Sequence, residues 1–197
     1  MSNIHPRILL LIALPAELGE EAVAALGKLC DICYVGIGKL SAFEATATAL
    51  QQADYDIVIN AGTTGSFRHP FASVLLPSRV AQGDAFIGSD FATDEISLGT
   101  GNHDTAILSG DNFIGEDTPE AYRKLIADYD CMDMESYAIV RAVRYLAQTT
   151  GSAMPQIHLI KVVSDGADGS IGDWAARLRH LRPTLRGAIE DLIATLK

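Results

Sequence analysis

Apolar runs of strand length alternate along this chain with longer stretches in which apolar residues recur every three or four positions. Residues 7–13, Arg-Ile-Leu-Leu-Leu-Ile-Ala, are apolar after the first, as a strand buried on both faces is. Residues 159–163, Leu-Ile-Lys-Val-Val, repeat that pattern around a single lysine. Shorter strands are expected at 31–35, 56–60 and 105–108, and at 73–81, where Pro77 marks a break or an edge position. Helical spacing predicts helices over 16–29, with Pro15 in the first turn, and over 40–53, 137–148 and 171–196. A further helix begins at Thr118-Pro119, with the hydroxyl as N-cap and the proline at the first helical position. Residues 82–102 are irregular and read as a loop. Strands alternate with helices throughout, and no repeat or linker divides the chain. The pattern predicts one three-layer α/β domain over 1–197, a mainly parallel, mixed central sheet flanked by helices.

Composition narrows the function classes. With 197 residues, 48% hydrophobic and 20% charged, the chain is long enough for one substantial core. A formal charge of −10 without a Lys/Arg stripe argues against nucleic acid as a partner. No apolar run approaches the ~20 residues that span a bilayer, so no membrane association is expected. The first apolar run reads as a strand and not as a signal segment. Three cysteines without a spaced framework fit a reducing, cytoplasmic setting. Cys30 and Cys33 form a CxxC pair, but a tetrahedral site needs two further ligands that do not follow, so no metal and no cofactor is expected.

Candidate chemistry gathers where strands end. Asp165 follows the 159–163 strand directly, at the edge where open α/β sheets bind ligands, although the same position suits an N-cap. Glu17 lies in the first helical turn after the first strand, where a carboxylate also complements the helix dipole. Gly36-Ile-Gly-Lys39 looks like a phosphate cradle, but the complete phosphate-binding patterns are absent. Ala61-Gly-Thr-Thr-Gly-Ser66 reads as a turn of small residues that lets backbone amides approach a flat ligand.

These pieces, taken in order, resemble the nucleoside phosphorylase superfamily, and most closely its 5′-methylthioadenosine/S-adenosylhomocysteine nucleosidase family. The residues that carry the likeness are Ala13-Leu-Pro-Ala-Glu17, Gly36-Ile-Gly-Lys39, Ile59-Asn-Ala-Gly-Thr-Thr-Gly65, Leu108-Ser-Gly-Asp-Asn-Phe-Ile114, Met132-Asp-Met-Glu135 and Val163-Ser-Asp-Gly-Ala-Asp168. The resemblance implies a nucleoside phosphorylase-like fold and hydrolysis of the N-glycosidic bond of methylthioadenosine or S-adenosylhomocysteine. It casts Asp165 as the acid at the purine, Glu135 as the acceptor of the ribose hydroxyls and Glu17 as the group that works on the attacking water. It places Phe113 and Ile114 against adenine, Met134 against the ribose, Thr63 near the water, and Thr64 and Gly65 beside the base. Ser164 and Lys161 complete the substrate-binding set, the lysine standing where the family usually has an arginine. The resemblance also implies a homodimer, a small purine nucleoside as partner and a place in methionine salvage.

The chemistry suits these residue types. Breaking the bond to adenine builds positive charge on the ribose and negative charge on the purine, so an acid belongs at the base and carboxylates near the sugar. Burial at a strand end would favour Asp165 as the proton donor to the purine, and Lys161 would offset the crowding of Glu17 and Glu135. The segment after the first strand offers a glutamate and no arginine, which disfavours phosphate and favours water. Purine nucleoside phosphorolysis, hydrolysis of another purine nucleoside such as futalosine or AMP, and a binding protein without turnover are the competing readings.

Overall fold

The computed structural model describes residues 6–87, 90–91, 95–112, 114, 117–166 and 174–196. The first strand, β1 (Ile8–Ile12), is buried at every position and leads into two short helices, α1 (Pro15–Leu18) and α2 (Glu20–Leu26). The expected single helix over 16–29 is broken at Gly19, whose φ of +76° suits glycine and interrupts helical geometry. Strand β2 (Asp31–Tyr34) and helix α3 (Lys39–Gln52) follow, and then β3 (Ile57–Gly65).

Strand β3 extends five residues beyond the expected end at 60. The small-residue segment read as a turn is therefore strand through Gly65. Its threonines favour extended backbone, and its partner strand matches it almost residue for residue. That partner is β11 (Gln156–Asp165), parallel to β3 from Gln156↔Ile57 to Asp165↔Gly65 with one irregularity between Val163 and Asp165. The chain between them supplies β4 (Val74–Leu75), β5 (Pro77–Gln82), β6 (Phe86–Ile87), β7 (Asp90–Phe91), β8 (Glu95–Ser97), β9 (Asn102–Ser109), α4 (Glu120–Ala127), β10 (Cys131–Asp133) and α5 (Ser136–Thr150). The segment expected to be a loop over 82–102 thus carries three short strands. Pro119, expected inside the fourth helix, occupies its N-cap position, and no side-chain hydrogen bond caps the helix there. The chain closes with α6 (Trp174–Thr195).

The main sheet is mixed and mostly parallel, in the order β2-β1-β3-β10-β9-β5-β8, with β11 paired to β3 and to β4. It is one α/β domain with helices on both faces. Residues Leu9, Leu11, Val58, Leu159 and Val163 pack with α3 and α5, while Ile8, Leu10, Ile59, Ile160 and Val162 pack with α1, α2 and α6. The alternation follows from strand geometry, which sends successive side chains to opposite faces. Arg182 of α6 donates to the Ala16 carbonyl at 2.9 Å, which fixes α1 over the carboxyl end of β1. No helix among the described residues is long and apolar enough to cross a membrane.

Candidate active site

Glu17 sits on α1, 4% exposed, directly above the point where β1 stops and β3 continues. Its Oε1 accepts hydrogen bonds from the Thr63 amide at 2.8 Å and the Thr63 hydroxyl at 3.0 Å, and its Oε2 accepts from the Leu14 amide at 3.2 Å. A Cβ on Gly62 would come within 3.0 Å of Oε1, so glycine there leaves the carboxylate its place. Thr63 therefore does more than line the site. It orients the acid.

Glu135 occupies the turn between β10 and α5, also buried, and its Oε1 accepts the Gly38 amide at 2.9 Å. Burial, then the neighbouring Asp133 and Glu17 charges, push its pKa up to about 7, against the Gly38 amide and Lys161, which act the other way. The glycine loop thus spends an amide on a carboxylate of its own chain. Lys39 is engaged too: its amide donates to Asp111 Oδ1 at 2.8 Å, and its ammonium pairs with Asp84.

Between the two glutamates lies Lys161, with 2% of its surface exposed. Its ammonium donates to Asp133 Oδ2 and to Asn60 Oδ1, both at 2.8 Å. Asp133 also accepts the Ser109 hydroxyl at 2.5 Å and the Ser136 amide at 3.1 Å. Burial pulls the lysine pKa down, but Asp133 first, then Glu135 and Glu17, outweigh it and hold the group above its ordinary value. Burial likewise pushes Asp133 up, and the lysine together with the serine hydroxyls brings it below the usual carboxylate range. A charged pair this deep is tolerable because nearly every lone pair and proton has a partner. Asp133, Asn60, Ser109, Ser136 and Gly38 were not among the expected site residues. The signal for two of them was in the sequence, since Asn60 and Asp133, like the expected Lys161, each place a polar side chain in a buried strand, and a buried polar side chain requires another.

Asp165 is the last residue of β11, as expected, half-buried and accepting the Ser164 hydroxyl at 2.7 Å. Its register partner is Gly65, three positions beyond Gly62, which puts it roughly 10 Å farther along the strand direction than the Glu17 end of the site. It borders an open depression of about 490 Å³ lined by His69, Pro70, Phe71, Gly166 and Arg177. Glu17, Glu135 and Lys161 therefore form one cluster, and Asp165 stands at its own corner of the same edge. Thr64 is buried, its hydroxyl donating to the Met132 carbonyl at 2.6 Å, and Gly65 pairs with Met132 in the sheet. The Ile114 side chain packs among Leu108, Tyr122 and Ile126, which leaves its backbone for any ligand contact, and Met134 is half-buried at the turn before Glu135. Phe113 and Asp168 lie outside the described residues.

Both thiols of the CxxC pair donate to backbone carbonyls, Cys33 to that of Tyr34 at 3.9 Å. Cys30 donates to the Leu26 carbonyl at 3.4 Å, and burial pushes its thiol up to about 11. Among the described residues no three His, Cys, Asp or Glu side chains converge as a metal ion would need.

No protein-family model and no curated protein matches the chain by sequence. Solved structures do match. A Helicobacter pylori 5′-methylthioadenosine/S-adenosylhomocysteine nucleosidase variant with 5′-methylthioadenosine in its active site superposes with a TM-score of 0.74 at 16% identity, over 98% of this chain and 100% of that one. The fold is that of the methylthioadenosine/S-adenosylhomocysteine nucleosidases. A Neisseria meningitidis nucleosidase bound to methylthio-immucillin-A matches at 0.68 and 17% identity, covering 92% of this chain and 94% of that one. The Helicobacter pylori futalosine hydrolase shares the nucleosidase fold and matches at 0.74 and 16% identity, over 98% and 100% of the two chains.

Proposed function

We propose that this protein is a purine nucleosidase that hydrolyses the N-glycosidic bond of 5′-methylthioadenosine or S-adenosylhomocysteine and releases adenine. The observation that carries the reading is the Glu17–Lys161–Glu135 cluster at the carboxyl edge of a nucleosidase fold. Glu135, as the carboxylate, accepts the two ribose hydroxyls. Glu17, held at a fixed angle by Thr63, takes a proton from the attacking water, and Asp165 protonates the departing purine, which leaves as neutral adenine. Phe113, Ile114 and Met134 would line the nucleoside, and Thr64, Gly65 and Ser164 the base.

Water is favoured over phosphate as the nucleophile. Glu17 puts negative charge where a phosphate dianion would sit, and the Gly38 and Lys39 amides are already bonded to Glu135 and Asp111. Incubation with methylthioadenosine in phosphate-free buffer, with released adenine followed by absorbance, tests this. Release at full rate is expected; a requirement for phosphate would overturn hydrolysis, and adenine binding without turnover of any nucleoside would indicate a binding protein. The equal structural likeness to a futalosine hydrolase supports a second substrate, 6-oxo purine nucleosides, which belong in the same panel. The proposed assembly is a homodimer acting in the cytoplasm in methionine salvage, and light scattering on the purified protein checks the dimer.

A further inference from the structure

We infer that Asp84 and Asp111 are positioning residues: with Lys39 they close a ring that holds the glycine loop against Glu135 and so set how the ribose carboxylate is aimed. The inference rests on the role proposed for Glu135. Three segments distant in sequence meet here. The Lys39 amide donates to Asp111 Oδ1 at 2.8 Å, the Asp111 amide donates to Asp84 Oδ2 at 2.8 Å, and the Lys39 ammonium returns to Asp84. Lys39 donates twice, Asp84 accepts twice and Asp111 does one of each, in a circuit that joins the start of α3, the loop after β5 and the loop after β9. The Lys39 and Asp84 side chains are 17% and 11% exposed, so the pair is far better shielded than an ordinary surface ion pair.

The residue next to the ring is Gly38, whose amide donates to Glu135 at 2.9 Å. Its φ of +88° is a glycine conformation, and a Cβ there would meet Asp111 Oδ1 at 3.2 Å. The amide on one side of Gly38 is accepted by Glu135 and the amide on the other side, that of Lys39, by Asp111, so Asp111 holds the peptide that follows the glycine. Nothing in the proposed chemistry otherwise uses Asp84 or Asp111, and neither contacts Glu135.

The experiment separates positioning from charge. The charged groups facing Glu135 are Asp133 from β10, Glu17 from α1 and Lys161 from β11. Removing a further anion, Asp111 or Asp84, lowers the Glu135 pKa by simple Coulomb logic, whereas loss of the Gly38 hydrogen bond raises it. The full chain labelled with ¹³C at glutamate carboxyls is titrated by NMR, with the Glu135 signal assigned by its disappearance in Glu135→Gln. An upward move from about 7 is expected in Asp111→Ala and in Asp84→Ala, and no rise in Asp111→Asn, which keeps the oxygen that accepts the Lys39 amide. An unchanged or lowered pKa in Asp111→Ala overturns the inference, and Asp84→Ala decides it alone if Asp111→Ala does not fold. In turnover, Asp111→Ala is expected to raise KM about tenfold with little change in kcat for a ribonucleoside, and to do much less to its 2′-deoxy counterpart. Equal effects on both substrates would also overturn the role. If the parent protein turns over no nucleoside, the proposed function falls while the titration still decides whether the ring holds Glu135.

Discussion

Glu135 is buried although its proposed task requires a charge. Its pKa, lifted from 4.5 to about 7 by burial and by Asp133 and Glu17, makes the protein half-committed to the carboxylate at neutral pH. An acid whose pKa is higher folded than unfolded stabilises the fold only where it is protonated. Stability from this group is complete below about pH 4.5 and is lost as the pH rises through about 7. Denaturant unfolding of the parent and of Glu135→Gln at pH 5 and pH 8 is expected to show the parent losing stability relative to the variant at the higher pH. Turnover should run the other way, with KM falling as pH rises through 7, because the ribose hydroxyls donate to the anion. At the neighbouring glutamate the test is steric. Gly62→Ala places a methyl 3.0 Å from Glu17 Oε1, so kcat should fall by about tenfold or more with only a small change in Tm. A variant with parental kcat would show that the angle of Glu17 is immaterial.

Among the elements, β3, β10 and β11 carry the burden, because each contributes one member of a buried polar set: Asn60, Asp133 and Lys161. Lys161→Met should cost on the order of 3–5 kcal/mol in urea unfolding, since it strands the Asp133 carboxylate among apolar atoms, and adding Asp133→Leu should recover much of that loss. Strict additivity of the two changes would argue against the pair as drawn. The same strands show how far the sequence could be read. Periodicity placed β1, β11, α3 and α5 within a few residues, and it put Asp165 at the end of its strand. It failed at 61–65, where glycines and hydroxyls suggested a turn and a matching partner strand kept the backbone extended. It failed again at Gly19, a single backbone conformation inside an otherwise helical pattern. At the site, the residue types of Glu17, Glu135 and Lys161 were legible from the family resemblance. What they bind was not: that Lys161 answers Asp133 first, and that Gly38 answers Glu135, depends on which strand ends meet across about a hundred residues of chain.

For the molecule as a whole, acid stability has a second contributor. His158 lies in β11 near the opposite end of the strand from Asp165, 9% exposed, its Nε2 buried without a hydrogen-bond partner among the described residues, and burial holds its pKa below 6.5. A histidine kept neutral in this way supports the fold above pH 6.5 and withdraws that support as the pH falls, opposite in sign to Glu135. His158→Leu is therefore expected to gain denaturant stability relative to the parent as the pH falls from 6.5 to 5; a difference that does not change with pH would show that His158 is not held neutral by the fold. One more consequence follows from the long pairing of β11 with β3. The strand synthesised late in the chain is inserted beside one made a hundred residues earlier, and it brings the sole cation that neutralises Asp133 among the described partners of that carboxylate. Until residues 156–165 have been threaded into the sheet, Asp133 and Asn60 have nowhere dry to go, so the centre of the protein must stay hydrated during synthesis. The Asp133–Lys161 pair and the completed central sheet arrive in the same event, and a ribosome stalled before that strand holds a chain with neither.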